Sequence, residues 1–373
     1  MAHSCRWSSR LKGENSRDLS SNGSGEQRIA IPGCGREAAA GKHSPEPHRL
    51  KGAALPRFKT TFVIAISTVL VLTVVATQSA QAQTFTVIHN FTGGLDGGYP
   101  WAGLTMDEAG NLYGTAGYTG TAGCGGDGCG TVYQLKHKGS GWVFNLLYSF
   151  TGGSDGGNPY ARVIFGPDGA LYGTTRYGNG TVFNLKPGPT ACKTALCPWT
   201  VTVLHQFAGY PSDGSDPYSG DLFLDQSGNI YGTTEYGGRN QCGRFGAGCG
   251  TVYELTPSGS GWTESRLYNF LDDGSGTNPT AGVTMDKAGN LYGTTELRRN
   301  GFFPGNGTVF QLMPFGKEKL LHSFQGGSDG SKPFAGVIFD QSGNLYGATQ
   351  QFGDGGGWYS FRAVAQPGWQ LDV

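Results

Sequence analysis

From residue 84 onward, apolar and polar residues alternate in short runs cut by Gly, Asp, Asn and Ser. Thr131-Val132-Tyr133-Gln134-Leu135 and Trp142 to Phe150 have the period-two pattern and the β-branched and aromatic content of strands, with a tight turn over Lys138 to Gly141 between them. Ala102 to Met106 and Asn111 to Thr115 read as two more, joined by a turn at Asp107 to Gly110. Almost nothing in this stretch carries the wider spacing of an amphipathic helix. The prediction is many short strands joined by turns.

These four strands recur. Gly110-Asn111-Leu112-Tyr113-Gly114-Thr115 returns at Gly169 to Thr174, Gly228 to Thr233, Gly289 to Thr294 and Gly343 to Ala348. A Pro opens each unit (Pro100, Pro159, Pro217, Pro279, Pro333), and Gly-Thr-Val-aromatic follows at Gly130, Gly180, Gly250 and Gly307. Units close on Phe150, Phe207, Phe270 and Phe324, with Phe91 ahead of the first. Four short antiparallel strands in tandem copies predict an all-β fold, a β-propeller of five four-stranded blades. A β-helix is the runner-up, but its rungs are much shorter than this repeat. The last unit runs short, so Thr84 to Phe91 is expected to pair into the final blade as its fourth strand and remove two sheet edges.

Composition sharpens the picture. Of 373 residues 66 are Gly, far above average usage but without the collagen period, and the aromatic content of 12% argues against disorder. Residues 1–82 carry 11 Lys/Arg and 5 Asp/Glu, whereas 83–373 carry 16 and 22. The repeat part is therefore mildly acidic, which disfavours nucleic acid as a partner. Ahead of it, Arg57-Phe58-Lys59, an apolar run from Thr60 to Ala76, and small residues at Ala80 and Ala82 read as a secretory signal over 57–82, cleaved after Ala82. An uncleaved membrane anchor is the alternative. Residues 1–56 are polar and read as a non-native or disordered extension.

The registered Leu-Tyr-Gly-Thr-Thr and Gly-Thr-Val-Phe units resemble those of the GloVer-type tandem-repeat proteins, which are extracellular bacterial proteins. The resemblance covers about 84–350 and implies a secreted or surface-attached, propeller-like protein, often carrying a C-terminal sorting anchor. It brings no catalytic motif with it. Residues 357–373 depart from the pattern: where Gly-Thr-Val-Phe-Glu-Leu is due, the chain reads Gly357-Trp358-Tyr359-Ser360-Phe361-Arg362. Read one base later, that stretch can encode Gly-Thr-Val-Phe, so the end is expected to be frameshifted and the repeat domain to run over 83–356.

Six cysteines of this domain fall in close pairs: Cys124/Cys129, Cys192/Cys197 and Cys242/Cys249. In an exported chain such pairs read as disulfides. Zinc would want further Cys or His nearby, and no His lies in these loops, so neither metal nor cofactor is expected. His89, His205 and His322 share a repeat slot with Tyr148 and Tyr268, as packing groups with a polar tip would. Asp107, Asp225, Asp286 and Asp340, and Asp96, Asp155, Asp213 and Asp329, read as turn formers rather than calcium ligands.

Function has to be sought where the units differ. After the second strand they read Ala116, Arg176, Glu235, Glu296 and Gln350, with Tyr118, Tyr177, Tyr236, Leu297 and Phe352 next along. Arg176, Tyr177, Glu235, Tyr236 and Glu296 are therefore the candidate ligand-binding residues, on loops that share a face with the Asp-Gly loops. No nucleophile elbow or catalytic constellation is visible. The expectation is a non-enzymatic binding or scaffold module for an extracellular glycan or protein. The alternatives are a carbohydrate-active enzyme using Glu235 and Glu296 as an acid/base pair, which requires carboxylates about 5 to 9 Å apart, and a purely structural surface component.

Overall fold

The computed structural model describes residues 85–120, 123–188, 199–242, 246–271, 273–300, 303–350, 359–364 and 370–372. The signal segment lies outside them. So do Cys192 and Cys197, so the disulfide expected between Cys192 and Cys197 falls outside the described residues. The domain from Gln83 onward is a compact unit of its own. It is an all-β propeller of five four-stranded antiparallel sheets. Blade one is built from Thr105–Met106, Leu112–Ala116, Thr131–Lys138 and Gly141–Ser149. Blade two runs from Ile164–Phe165 to Thr200–Gln206, blade three from Phe223–Leu224 to Gly261–Asn269, and blade four from Thr284–Met285 to Lys317–Ser323. Blade five runs from Ile338–Phe339 to Gln370–Asp372.

The repeated residues are the ones that build and join blades. Asp107 accepts hydrogen bonds from the backbone N–H and side-chain amide of Asn111 and from the Tyr113 hydroxyl, at 2.8, 2.7 and 3.0 Å. Asp225, Asp286 and Asp340 repeat this turn with Asn229/Tyr231, Asn290/Tyr292 and Asn344/Tyr346. The first Thr of each Gly-Thr-Thr points into the next blade instead. Thr115, Thr233 and Thr294 donate to the carbonyls of Ala161, Ala281 and Ala335 at 3.0, 2.8 and 3.0 Å. The second Thr pairs its hydroxyl with the Thr of Gly-Thr-Val: Thr175–Thr181, Thr234–Thr251 and Thr295–Thr308, at 2.7 to 2.8 Å. Blade one has Ala116 at this position, and there the buried Thr131 hydroxyl has no partner.

Each closing Phe packs edge-on against the third-strand aromatic of the following blade. Phe150 meets Phe183, Phe207 meets Tyr253, Phe270 meets Phe310 and Phe324 meets Phe361, all with ring centroids 5.1 to 5.2 Å apart. A β-bulge lies at the same place in the outer strand pair of blades one to four. It turns the extra residue (Leu147, Leu204, Leu267 or Leu321) into the core, beside its neighbours in the inter-blade clusters.

Two expectations change. The innermost strands hold only two residues, because the stretch before each one faces neighbouring units rather than a partner strand. The closing strand expected over 84–91 is not formed: residues 85–92 have no ladder, and Gln370–Asp372 supplies the fourth strand of blade five. Phe91 nonetheless packs on Tyr133 at 5.0 Å, and His89 stacks on Phe144 at 4.6 Å. Side-chain packing against blade one holds this segment in place of sheet pairing.

The shared His/Tyr slot also acquires a partner. His205 Nε2 lies 2.9 Å from Asp213, His322 Nε2 3.1 Å from Asp329, and the Tyr148 hydroxyl donates to Asp155 at 3.0 Å. The polar tip ties the fourth strand to the Asp-Gly loop that follows it.

Candidate functional site

One segment from every unit converges on a single central cavity of about 510 Å³. The segments are those just after the repeated Pro, and units one, four and five each place an Ala-Gly pair in the wall. The small residues are required by crowding. A Cβ on Gly282 would stand 2.0 Å from the Asp221 carbonyl oxygen, so a side chain there would force the neighbouring units apart.

The mouth of this channel is set by two positions in each unit. The first is the residue before the Pro (Tyr99, Asn158, Asp216, Asn278 or Lys332), which takes a left-handed φ of 52° to 59° in all five units. Its carbonyl accepts a hydrogen bond from the second, the residue after the second strand: Gly117, Arg176, Glu235, Glu296 or Gln350. The loops after the second strands pair with the Asp-Gly loops, at Gly98 with Tyr118, Ser215 with Tyr236 and Thr277 with Leu297. Ala116, placed at the mouth by sequence, belongs to the strand; Gly117 takes that position. A Cβ on Gly117 would lie 2.4 Å from the Tyr160 ring, so glycine lets the ring close over this side of the mouth.

One half of the mouth is aromatic. Tyr99, Trp101, Tyr118, Tyr160 and Tyr218 form an unbroken arc with ring centroids 4.9 to 5.9 Å apart. Trp101 is 58% exposed, an open stacking face. Arg176 joins this half to the charged half: its guanidinium lies over Tyr160 and Tyr218, 5.6 and 4.7 Å from the ring centres. Its Nε donates to both Asp216 carboxylate oxygens, at 2.7 and 2.9 Å. Burial raises the Asp216 pKa, with Arg176 pulling in the other direction.

Glu235 and Glu296 occupy the same position in adjacent blades. Glu296 has Lys332 Nζ 3.7 Å away, and burial pushes its carboxyl upward against that cation. Glu235 is only 8% exposed, with the Tyr236 hydroxyl in hydrogen-bonding reach. Burial, and then the charges of Asp216 and Glu296, push it up to about 7, against the lowering influence of Tyr236 and Arg176. A carboxyl that holds its proton near neutrality can both donate and accept hydrogen bonds. Among the described residues no group of three or more His, Cys, Asp and Glu is placed to hold a metal.

Of the residues singled out from sequence, Arg176, Glu235, Tyr236 and Glu296 gather at the mouth. Tyr177 is 42% exposed and makes no ring contact with the aromatic arc. Missed were Tyr99, Trp101, Tyr160, Asp216, Tyr218 and Lys332. Their signal was present: they flank the repeated Pro and change from unit to unit while the Pro stays in register. Of the three disulfides expected, two are formed among the described residues: Cys124 with Cys129 and Cys242 with Cys249, bracing loops of units one and three. Both indicate an oxidising compartment. The third, Cys192 with Cys197, is not among them, because Cys197 and Cys192 both lie outside the described residues. Among the described residues no helix is long and apolar enough to cross a membrane.

Fold and mouth together define a tandem-repeat propeller with a central pocket rimmed by non-repeated side chains. The chain belongs to the Gloeobacter/Verrucomicrobia repeat family, whose model matches residues 73–245 and 177–363. No curated protein matches it in sequence. Among solved structures it is similar to a putative 6-phosphogluconolactonase from Bacteroides uniformis, at 17% identity over 73% of this chain and 70% of that one, with a TM-score of 0.43. A gluconolactonase from Xanthomonas campestris matches at 13% identity over 74% and 77%, with a TM-score of 0.41. A putative exo-β-1,3-galactanase from Bifidobacterium bifidum matches at 12% identity over 73% and 90%, with a TM-score of 0.38. These neighbours are named as enzymes, and that finding overturns the expectation that the domain is not one. At such identities the likeness concerns the fold and transfers no activity.

Proposed function

We propose that the channel mouth binds a saccharide, with the sugar ring stacked on the exposed Tyr99–Trp101 end of the aromatic arc and its hydroxyls held by Arg176, Glu235, Tyr236 and Glu296. The observation that carries this reading is where the units differ. Blade-building residues repeat, whereas the positions flanking the Pro and following the second strand vary; those after the Pro line one cavity, and the other two sets are hydrogen-bonded to each other beside it, with Arg176 lying over Tyr160 of the lining. Aromatic faces beside planar polar groups suit a polyhydroxylated ring, which has apolar C–H faces and a polar edge. A cavity of about 510 Å³ falls in the range of small-molecule sites. Tyr177 is retained as an outer rim contact. Turnover of the bound sugar is a second reading, favoured by one observation: Glu235 keeps its proton near neutrality beside a second carboxylate.

The test is calorimetric titration of the purified protein with cellohexaose, xylohexaose and mannohexaose, with product analysis of each mixture. Binding that disappears in Trp101→Ala and Tyr99→Ala, with the melting temperature kept, supports the reading. Failure to bind any of the panel overturns it. Export through the 57–82 leader fits the disulfides, and a mature protein beginning at Gln83 would establish it.

A further inference from the structure

The channel wall departs from the repeat in two neighbouring units. After the Pro, units one, four and five read Trp101-Ala102-Gly103-Leu104, Thr280-Ala281-Gly282-Val283 and Phe334-Ala335-Gly336-Val337. Unit two reads Tyr160-Ala161-Arg162-Val163, with Arg162 in place of the glycine. Unit three reads Tyr218-Ser219-Gly220-Asp221-Leu222, which keeps the glycine and inserts Asp221 after it. A substitution in one unit and an insertion in the next meet inside the channel. Arg162 Nη2 lies 2.8 Å from Asp221 Oδ2, and the Arg162 backbone N–H donates to Oδ1 at 3.0 Å.

We propose that Arg162 and Asp221 form the floor of the saccharide site and read a vicinal pair of hydroxyls on the sugar entering the channel; this rests on the saccharide reading of the mouth. Both side chains line the cavity and are about two-fifths exposed, 41% and 39%, so a ligand can reach them. The pair does not use up its hydrogen-bonding capacity: the Arg162 side chain meets Asp221 through Nη2, and a guanidinium has five N–H donors. A guanidinium and a carboxylate side by side present donors next to acceptors. Adjacent hydroxyls match that arrangement, one accepting from the arginine and the other donating to the aspartate. Asp221 would repel a free carboxylate at the same spot, which points to a neutral sugar. Bracing alone is a poor account of the pair, since half-exposed ion pairs stabilise folds very little, and the other units close the wall with glycine.

Cellohexaose and mannohexaose test this, because their sugars differ in the configuration of one of two vicinal hydroxyls. Wild-type protein is expected to prefer one of them by at least about tenfold. Arg162→Gly, which restores the repeat residue, and the isosteric Asp221→Asn are expected to weaken the preferred ligand by about tenfold and to erase the preference. Residual binding should persist through the aromatic arc, and the melting temperature should stay near that of wild type. Unchanged affinity and unchanged preference in both variants, while Trp101→Ala abolishes binding, would overturn the floor and leave the mouth standing. Wild-type protein that binds neither hexaose would overturn both.

Discussion

Replacing Glu235 by Gln should make the protein more stable at pH 8 and leave it unchanged at pH 4. Burial beside Asp216 and Glu296 raises the Glu235 pKa from 4.5 to about 7 in the folded domain. The folded state therefore binds this proton more tightly than the unfolded chain does. Stability is retained below about 4.5, falls as pH rises from there to about 7, and is level beyond. Every tenfold gain in proton affinity corresponds to about 1.4 kcal/mol, so the ionised carboxylate costs the folded state about 3 kcal/mol at pH 8. Glutamine has the shape of the protonated acid and loses no proton. Urea unfolding of both proteins at pH 4, 5, 6, 7 and 8 should give curves that coincide at the acid end and diverge to that value. The wild-type curve also contains Glu318, which burial likewise raises to about 7, but that contribution is common to both proteins and cancels in the difference. A difference independent of pH, or a Gln variant less stable at pH 8, would refute the burial argument.

Ala116→Thr should give the Thr131 hydroxyl the partner it has in blades two to four and stabilise the domain by about 1 kcal/mol; a lower melting temperature would mean the site is overpacked. Cys124→Ser should cost about 2 kcal/mol, the magnitude for closing so short a loop, and native protein should leave Cys124, Cys129, Cys242 and Cys249 unlabelled by alkylating agents until reduced. Asp286→Ala removes the acceptor for Asn290 and Tyr292 and should cost about 2 to 3 kcal/mol in denaturant unfolding. Burial works to raise the Asp286 pKa, but the hydrogen bonds from Asn290 and Tyr292 outweigh it and hold it below 3.8; its contribution should therefore fade only as pH drops through that lowered value. Tyr99→Asn should be neutral or stabilising by up to about 1 kcal/mol, since Asn tolerates left-handed φ better than Tyr, while weakening saccharide binding in the same titration.

Blades were legible because each is built from its own unit. The Asp-x-x-Gly-Asn-Leu-Tyr turn and the Gly-Thr-Val strand recur where local geometry demands them, so counting Tyr113, Tyr172, Tyr231, Tyr292 and Tyr346 was enough to count sheets. Contacts between blades were harder to read. The bulged Leu147 and its equivalents look like ordinary strand residues until the partner strand shows the slip in register. Residues 84–91 have the letters of a fourth strand, yet Phe91 and His89 find their partners in blade one through side chains. At the site, Glu235 and Glu296 stood out as charges following a repeated strand. Asp216, Lys332 and Tyr99 were hidden beside a proline that looked like punctuation. That they surround one opening depends on ring closure, which places residues about sixty positions apart side by side.

Five residues of different chemistry share one backbone conformation before the repeated Pro: Tyr99, Asn158, Asp216, Asn278 and Lys332, all at φ between 52° and 59°. The proline and the carbonyl hydrogen bond that hold this conformation make no use of the side chain. Three of these positions are therefore sockets that take an aromatic, an acid or a base, whereas the buried Asn158 and Asn278 also tie units together by donating to the carbonyls of Gly117 and Glu235. One codon change at Tyr99, Asp216 or Lys332 rewrites one of the ten rim positions while the other nine keep their places. Recognition in such a ring can diversify combinatorially, unit by unit, at a rate set by single substitutions rather than by the slower remodelling of loops.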